Sequence, residues 1–244
     1  ARYGNVQGDE RELLRILYDV EIEYMDQHIG RVLDRLKQTG QSEKTIVVVV
    51  SDHGEGLGDH NWWTHGILYQ EQVRVPLIIR APLVPAGRQV EYLVRTIDIM
   101  PTVLELSGFE PQACPPMEGQ SLVPLLKGGS PDPNLIAYCD SVNMLTYSFT
   151  KQIRDVKDEM LFAVVSGPWK YIHHLRRPDA SELYHLADDP AEQVNLFDKQ
   201  PAVAARLKAD LLARNCIPAA QLGHQARMSP EDIERLRSLG YVGN

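Results

Sequence analysis

The stretch Thr45-Ile46-Val47-Val48-Val49-Val50 is an almost pure run of β-branched residues. Such side chains are stiff at χ1 and favour extended backbone. Successive residues of a strand point to opposite faces, so an unbroken apolar run has no face suited to water. It predicts a strand covered on both sides within a larger sheet. Upstream, Leu13, Leu17, Val20, Tyr24, Met25, Ile29, Val32 and Leu36 recur at helical spacing and predict a long amphipathic helix over Asp9–Gln38. Asp9 and Glu12 have the spacing of a capping box, and Gly40 suits the helix exit. A long helix, a short turn and a buried strand make an α/β unit.

Val73–Arg80 reads as a second buried strand, with Pro76 near its start. Asp98 is placed to cap a helix that runs to about Leu106, with Pro101 in its first turn and Gly108 stopping it. From Glu110 to Pro133 the chain is rich in Pro and Gly, which predicts irregular connection. We therefore divide the chain into an α/β part over residues 1–133 and a smaller α+β part over 134–244. In the second part, Met160–Val165, Trp169–His173 and Glu182–Leu186 alternate with turn residues and predict an antiparallel meander. A helix over Pro201–Asn215 should turn Leu207, Leu211 and Leu212 inward, and Ser229-Pro230 opens a last short helix.

The chemistry-bearing segment begins where the first strand ends, at Ser51-Asp52-His53-Gly54-Glu55-Gly56-Leu57-Gly58-Asp59-His60, and continues to His65. Ligands of α/β sheets bind beyond the carboxyl ends of strands. Asp52 and His53 would face opposite ways on an extended strand, and Gly54 permits a sharp turn that aims both at one point. A carboxylate beside an imidazole offers two ligands for a divalent cation; the same Asp-His-Gly also suits a plain turn. Two ligands do not complete a site, since zinc takes four and calcium six to eight.

Net charge is −8 with acids and bases interspersed, which argues against a nucleic-acid backbone binder. No apolar run approaches the roughly 20 residues of a membrane helix, and the chain opens Ala-Arg-Tyr-Gly without a basic-then-apolar leader. Cys114, Cys139 and Cys216 are widely spaced and odd in number, so they read as buried or incidental thiols. Trp62 and Trp63 read either as sugar-stacking rings or as loop packing. Lys170, His173, His174, Arg176 and Arg177 read either as a solvated hairpin tip or as contacts to an anionic substrate.

Tyr18-Asp19-Val20-Glu21-Ile22 with Gly30-Arg31-Val32-Leu33, Ser51-Asp52-His53-Gly54-Glu55, Leu57-Gly58-Asp59-His60 and Arg74-Val75-Pro76-Leu77 form an ordered series. Glu118-Gly119-Gln120-Ser121-Leu122, Trp169-Lys170-Tyr171-Ile172, Glu182-Leu183-Tyr184, Asp188-Asp189-Pro190 and the closing Leu236–Val242 continue it. Taken in order, these segments resemble the sulfatase family of the alkaline phosphatase superfamily. The resemblance implies the second half of an alkaline-phosphatase-like α/β sandwich, followed by a small C-terminal antiparallel sheet with a packed helix. It implies metal-dependent hydrolysis of sulfuric esters, with Asp52 and His53 as metal ligands and His65 catalytic and binding the transferred group. Trp63 and His173 are further candidate substrate contacts. The metal implied is calcium, or manganese or zinc in a phosphate-acting relative, and the substrate is a sulfated or phosphorylated small molecule or glycan.

His65 stands where many members carry lysine, which keeps a phosphate-ester hydrolase or phosphotransferase as the alternative. The family's Cys/Ser-x-Pro-x-Arg nucleophile motif does not occur among the 244 residues; Cys114 precedes Pro115-Pro116 without a nearby arginine. The expectation is therefore a C-terminal portion that is inactive by itself, prone to self-association, or acting as a non-catalytic binding module.

Overall fold

The computed structural model describes residues 9–82, 84–110, 114–142, 160–175 and 177–214. They fall into two compact units, one built from residues 3–65 and 71–137, the other from 66–70 and 138 onward.

In the first unit, helix α1 spans Asp9–Gln38 as the periodicity predicts. Gly40, at φ +66, ends it: its N–H donates to the Lys37 carbonyl while the Gln41 N–H reaches back to Leu36. This pair of bonds is a Schellman exit, and the left-handed φ is why glycine stands there. The half-covered face of α1 carries Leu14, Tyr18, Ile29, Leu33 and Leu36. Most of the residues expected inside point to solvent, with Leu13, Leu17, Val20 and Val32 each at least half exposed.

Strand β1, Val47–Val50, pairs antiparallel with β2, Leu77–Arg80, in a two-stranded sheet with Val48 opposite Ile79. The expectation of strands buried on both faces does not hold among the described residues: Ile78 is 62% exposed and Val50 40%. The apolar run is real, but only two strands share it. The second strand is also shorter than expected, because Gln70–Val73 forms a helical turn, α2, ahead of Pro76.

A 3₁₀ turn over Thr96–Asp98 leads into helix α3, Ile99–Leu106. Gly108, at φ +83, closes it with a second Schellman pair, Gly108 N–H to Glu105 and Phe109 N–H to Leu104. Asp98 does not cap α3 with its side chain. Its buried carboxylate instead accepts from the Arg95 backbone and guanidinium and from the Gln120 N–H. Thr102 adds a relay, donating to the Asp98 carbonyl and accepting from Leu122 N–H. These bonds hold the Glu118–Leu122 segment beside α3. A short helix, α4 (Val123–Leu126), follows where only irregular connection was expected.

The second unit contains a four-stranded sheet in the order β3-β4-β5-β6, with β3 Ile136–Val142, β4 Met160–Ser166, β5 Trp169–His174 and β6 Glu182–His185. The last three are the expected meander, with Val164 opposite Tyr171 and Tyr171 opposite Leu183; β3 was not anticipated. Leu161 to Val165 are all buried, so β4 is covered on both faces. Helix α5, Pro201–Ala213, lies against β4 and β5 through Ala204, Leu207 and Leu211, while Leu212 is 51% exposed rather than inward. Arg176 and the helix expected after Ser229 lie outside the described residues.

Candidate metal centre

The loop after β1 doubles back on itself because glycines alternate along it. Gly56 N–H donates to the Thr64 carbonyl and Gly58 N–H to Trp62, two rungs that set residues 55–58 against 62–65. At the apex, His60 and Asn61 take left-handed conformations with φ 49 and 57. The Arg15 guanidinium of α1 donates to the Leu57 carbonyl at 3.0 Å, and His60 Nδ1 lies 2.8 Å from Glu71 Oε1. A side chain at Gly58 would meet the Trp63 ring at 2.7 Å, and one at Gly54 would meet the Glu71 carbonyl at 2.0 Å. Gly54 does not have a left-handed φ. Its role is close approach to the Glu71-Gln72 backbone, where its N–H donates to Gln72 at 2.8 Å, rather than the sharp turn the sequence suggests.

Folding back in this way brings together residues ten or more positions apart. His65 Nδ1 lies 3.1 Å from Glu55 Oε2, and the His53 and His65 rings stand 4.1 Å apart, tilted by 35°. A ring nitrogen from each histidine and a Glu55 carboxylate oxygen lie within 4.8 Å of one another. Asp52 Oδ2 is 3.8 Å from His53 Nε2, and Asp52 Oδ1 accepts the His53 N–H at 2.9 Å. That backbone bond, reinforced by the His53 ring, holds the Asp52 carboxyl below the ordinary carboxylate range. The group is open to solvent: the Asp52 side chain is 83% exposed, His65 53% and Glu55 23%.

The donor set fits a divalent cation. His53 Nδ1 faces the Gly54 carbonyl at 2.9 Å. With its proton on Nδ1, toward that carbonyl, the neutral ring would offer its Nε2 lone pair to a cation beside Asp52. Asp52 Oδ2 and His53 Nε2 are 3.8 Å apart, and the His65 ring, a dozen residues on, stands beside that of His53. Glu55 was not singled out by sequence reasoning. It lies within the Ser51–His60 segment read as chemistry-bearing, where the alternation of glycines hinted at the return.

Trp63 packs its ring over Gly58, with the Arg11 guanidinium 5.7 Å from the ring centroid. His173 lies in the second unit, in β5, where it is 4% exposed and its Nδ1 is 3.0 Å from the Tyr171 hydroxyl. Lys170 and His174 are buried as well, so these basic residues do not form the solvated hairpin tip anticipated for them. Strand position explains this: the turn after β5 begins only beyond His174.

Residues 58–215 match the family of N-sulphoglucosamine sulphohydrolase C-terminal regions, and residues 2–109 match the sulfatase family. The chain belongs to the sulfatase family. Within the alkaline phosphatase superfamily, it is 31% identical over 176 residues to an N-acetylglucosamine-6-O-sulfatase of Bacteroides thetaiotaomicron, covering 72% of this chain and 30% of that protein. It is 34% identical over 226 residues to the multifunctional alkaline phosphatase superfamily protein PehA of Trinickia caryophylli, covering 82% and 41%. Among solved structures, a protein in complex with its substrate D-glucosamine-2-N,6-O-disulfate superimposes with TM-score 0.71 at 26% identity, over 88% of this chain and 44% of that one. The phosphonate monoester hydrolase of Agrobacterium radiobacter superimposes with TM-score 0.69 at 26% identity, over 93% and 46%. This sulfatase chain therefore spans less than half the length of each of these four relatives. The alkaline-phosphatase-like fold expected from the sequence is the fold of these neighbours, and family membership implies a divalent metal.

Proposed function

We propose that this chain supplies the C-terminal, metal-holding part of a sulfuric ester hydrolase that acts on a sulfated sugar or related small molecule. The observation that carries the reading is the pairing of Asp52 with His53, 3.8 Å apart, beside the His65 ring, 4.1 Å from that of His53, just beyond β1. Asp52 and His53 would hold a divalent cation, which when bound stabilises charge on the oxygens of the transferred group. His65 stands next to that pair, within reach of the same group. The nucleophile and remaining ligands would come from polypeptide beyond these 244 residues. Support comes from the relatives' greater length and from the uncovered apolar side chains of α1, β1 and β2. A sulfated glucosamine is the favoured substrate class, because the disulfated glucosamine complex and the glucosamine sulfatase are both among the similar proteins.

The test is an assay of the purified chain on aryl sulfates, sulfated glucosamines and phosphate monoesters with calcium, manganese or zinc. The chain alone should give no turnover. Joined to the nucleophile-bearing half of a relative, it should hydrolyse sulfate esters and lose that activity in Asp52→Ala. Saturable, metal-dependent turnover by the chain alone, abolished by Asp52→Ala, would overturn the placement of the nucleophile.

A phosphate- or phosphonate-ester hydrolase on the same fold is the second reading, favoured by His65 and by the phosphonate monoester hydrolase neighbour. A preference of the completed enzyme for phosphonate over sulfate esters would select it.

A further inference from the structure

We infer that the outer face of α1 pairs antiparallel with α1 of a second copy of this chain, forming a homodimer. The inference is independent of the metal reading above.

Two apolar faces run along α1. One holds the half-covered Leu14, Tyr18, Ile29, Leu33 and Leu36. On the opposite side, Leu13, Leu17, Val20 and Tyr24 follow one another at steps of four, three and four residues, the seam of a two-stranded coiled coil. At helical pitch these four lie within about 60° of one another and face away from the half-covered residues. Their exposures are 55%, 50%, 54% and 65%. An apolar stripe of this kind in water marks a contact surface.

The spacing of the stripe is self-complementary. Reversing a second helix about the point midway between Tyr18 and Asp19 sets Leu13 against Tyr24 and Leu17 against Val20 of the second copy. The two-fold axis of such a dimer repeats both pairs. Charge sets the direction. Glu10 stands one heptad before Leu17 and Arg31 one heptad beyond Tyr24, both on the seam and both exposed. A parallel pair would oppose Glu10 with Glu10 and Arg31 with Arg31. Reversed, Glu10 meets Gln27 of the second copy, and Arg31 comes within about one helical turn of the opposite Glu10. Ile22, Met25 and Val32 lie outside this seam and remain, with β1 and β2, for polypeptide beyond these residues. Three turns of seam make a small contact beside the roughly 1,200–2,000 Å² of stable complexes. The dimer should therefore be reversible and concentration-dependent.

The experiment is sedimentation equilibrium of the 244-residue chain over a wide concentration range. A monomer–dimer equilibrium is expected. Leu17→Glu and Val20→Glu should each raise its dissociation constant by about 100-fold or more, because a carboxylate in the seam finds no partner. Ile78→Glu, on the exposed part of β2, should leave it unchanged. Glu10→Lys should weaken the dimer by about fivefold, and adding Arg31→Glu should restore it. Circular dichroism checks that each variant is folded, and crosslinking reads the direction without any change of charge. A mixture of Leu13→Cys and Tyr24→Cys chains, one of them tagged, should oxidise to a mixed disulfide dimer. Either variant alone should crosslink no more than the parent, since its two new thiols would stand roughly 16 Å apart along the seam, beyond disulfide reach. A parent that stays monomeric throughout overturns the inference, as does a dimer that neither glutamate variant weakens. Leu13→Cys chains that crosslink with themselves overturn the antiparallel arrangement. If the chain joined to the nucleophile-bearing half of a relative is monomeric, that half covers the stripe and the inference falls.

Discussion

The loop over residues 51–65 and the polar interior of the second unit are built from the same kinds of side chain, put to opposite use. In the interior, Lys170 Nζ is 2.7 Å from Glu192 Oε1 with both side chains fully buried, and the other Glu192 oxygen accepts the Gln70 N–H at 2.6 Å. Glu182 accepts from the Tyr69 and Tyr184 hydroxyls and pairs with His174 Nε2 at 2.8 Å. Burial acts to raise the Glu182 carboxyl, but hydrogen bonds from His174, Tyr184 and Tyr69 outweigh it and leave the group below its ordinary range. Burial and the neighbouring Glu182 charge push both tyrosines up. In the loop, by contrast, His53, His65 and Asp52 keep lone pairs open to solvent. Polar groups that are buried and answered by neighbours stabilise; polar groups that lie close together while exposed remain available to a ligand.

The sharpest break of this comparison is at Glu192. Glu192→Ala should destabilise the chain by about 3–5 kcal/mol, because it strands the buried Lys170 charge. Lys170→Met combined with Glu192→Gln should recover most of that loss, since the amide still accepts from Gln70 N–H. Chemical denaturation midpoints check both, and a Glu192→Ala midpoint equal to that of the parent would contradict the buried pair.

Next in size is Gly54→Ala, whose methyl group would be driven against the Glu71 carbonyl. A cost of about 1–3 kcal/mol is expected, as for other overpacked sites. This substitution belongs to the loop yet acts through packing, and it should weaken metal binding as the loop shifts. Thermal melting and zinc titration of the same sample separate the two effects.

Glu182 gives the pH dependence its sign. Its carboxyl is lowered in the folded chain, so its contribution is present above the ordinary carboxyl value and is lost as pH falls through the lowered one. The parent should therefore lose stability in acid below about pH 4.5, and Glu182→Gln should flatten that limb of the curve. Tyr69 and Tyr184 act in the other direction: both are raised, so their contribution is present below about pH 10 and falls in stronger alkali. A stability curve for Glu182→Gln that parallels the parent in acid would assign the acid limb to other groups.

The smallest effect on stability should come from Asp52, proposed above as a metal ligand. Asp52→Ala alters an exposed side chain and should change stability by no more than about 0.5 kcal/mol, while metal affinity collapses. Equilibrium denaturation alongside metal content by elemental analysis reads both. A large stability loss without metal present would make Asp52 a structural residue like Glu192.

By itself the sequence determined several of the elements and their ends. The apolar period of α1, the glycines at its exit and after α3, and the turn residues between β4, β5 and β6 act over a few residues, where local sterics decide conformation. It also placed Asp52 and His53 just beyond the end of β1, since a strand end followed by glycine is a local feature. Tertiary structure decided which groups meet. The pairing of Glu55 with His65 depends on a backbone ladder across the loop, and the burial of Lys170, His173 and His174 depends on strands and helix packing over β5. The exposure of β1 and of the periodic face of α1 likewise could not follow from their own residues. An apolar run declares that it needs cover, but only the surrounding chain supplies it. Charge and hydrogen-bond partners are long-range properties of the fold, which is why the same residue types became an exposed cluster in one unit and an interior brace in the other.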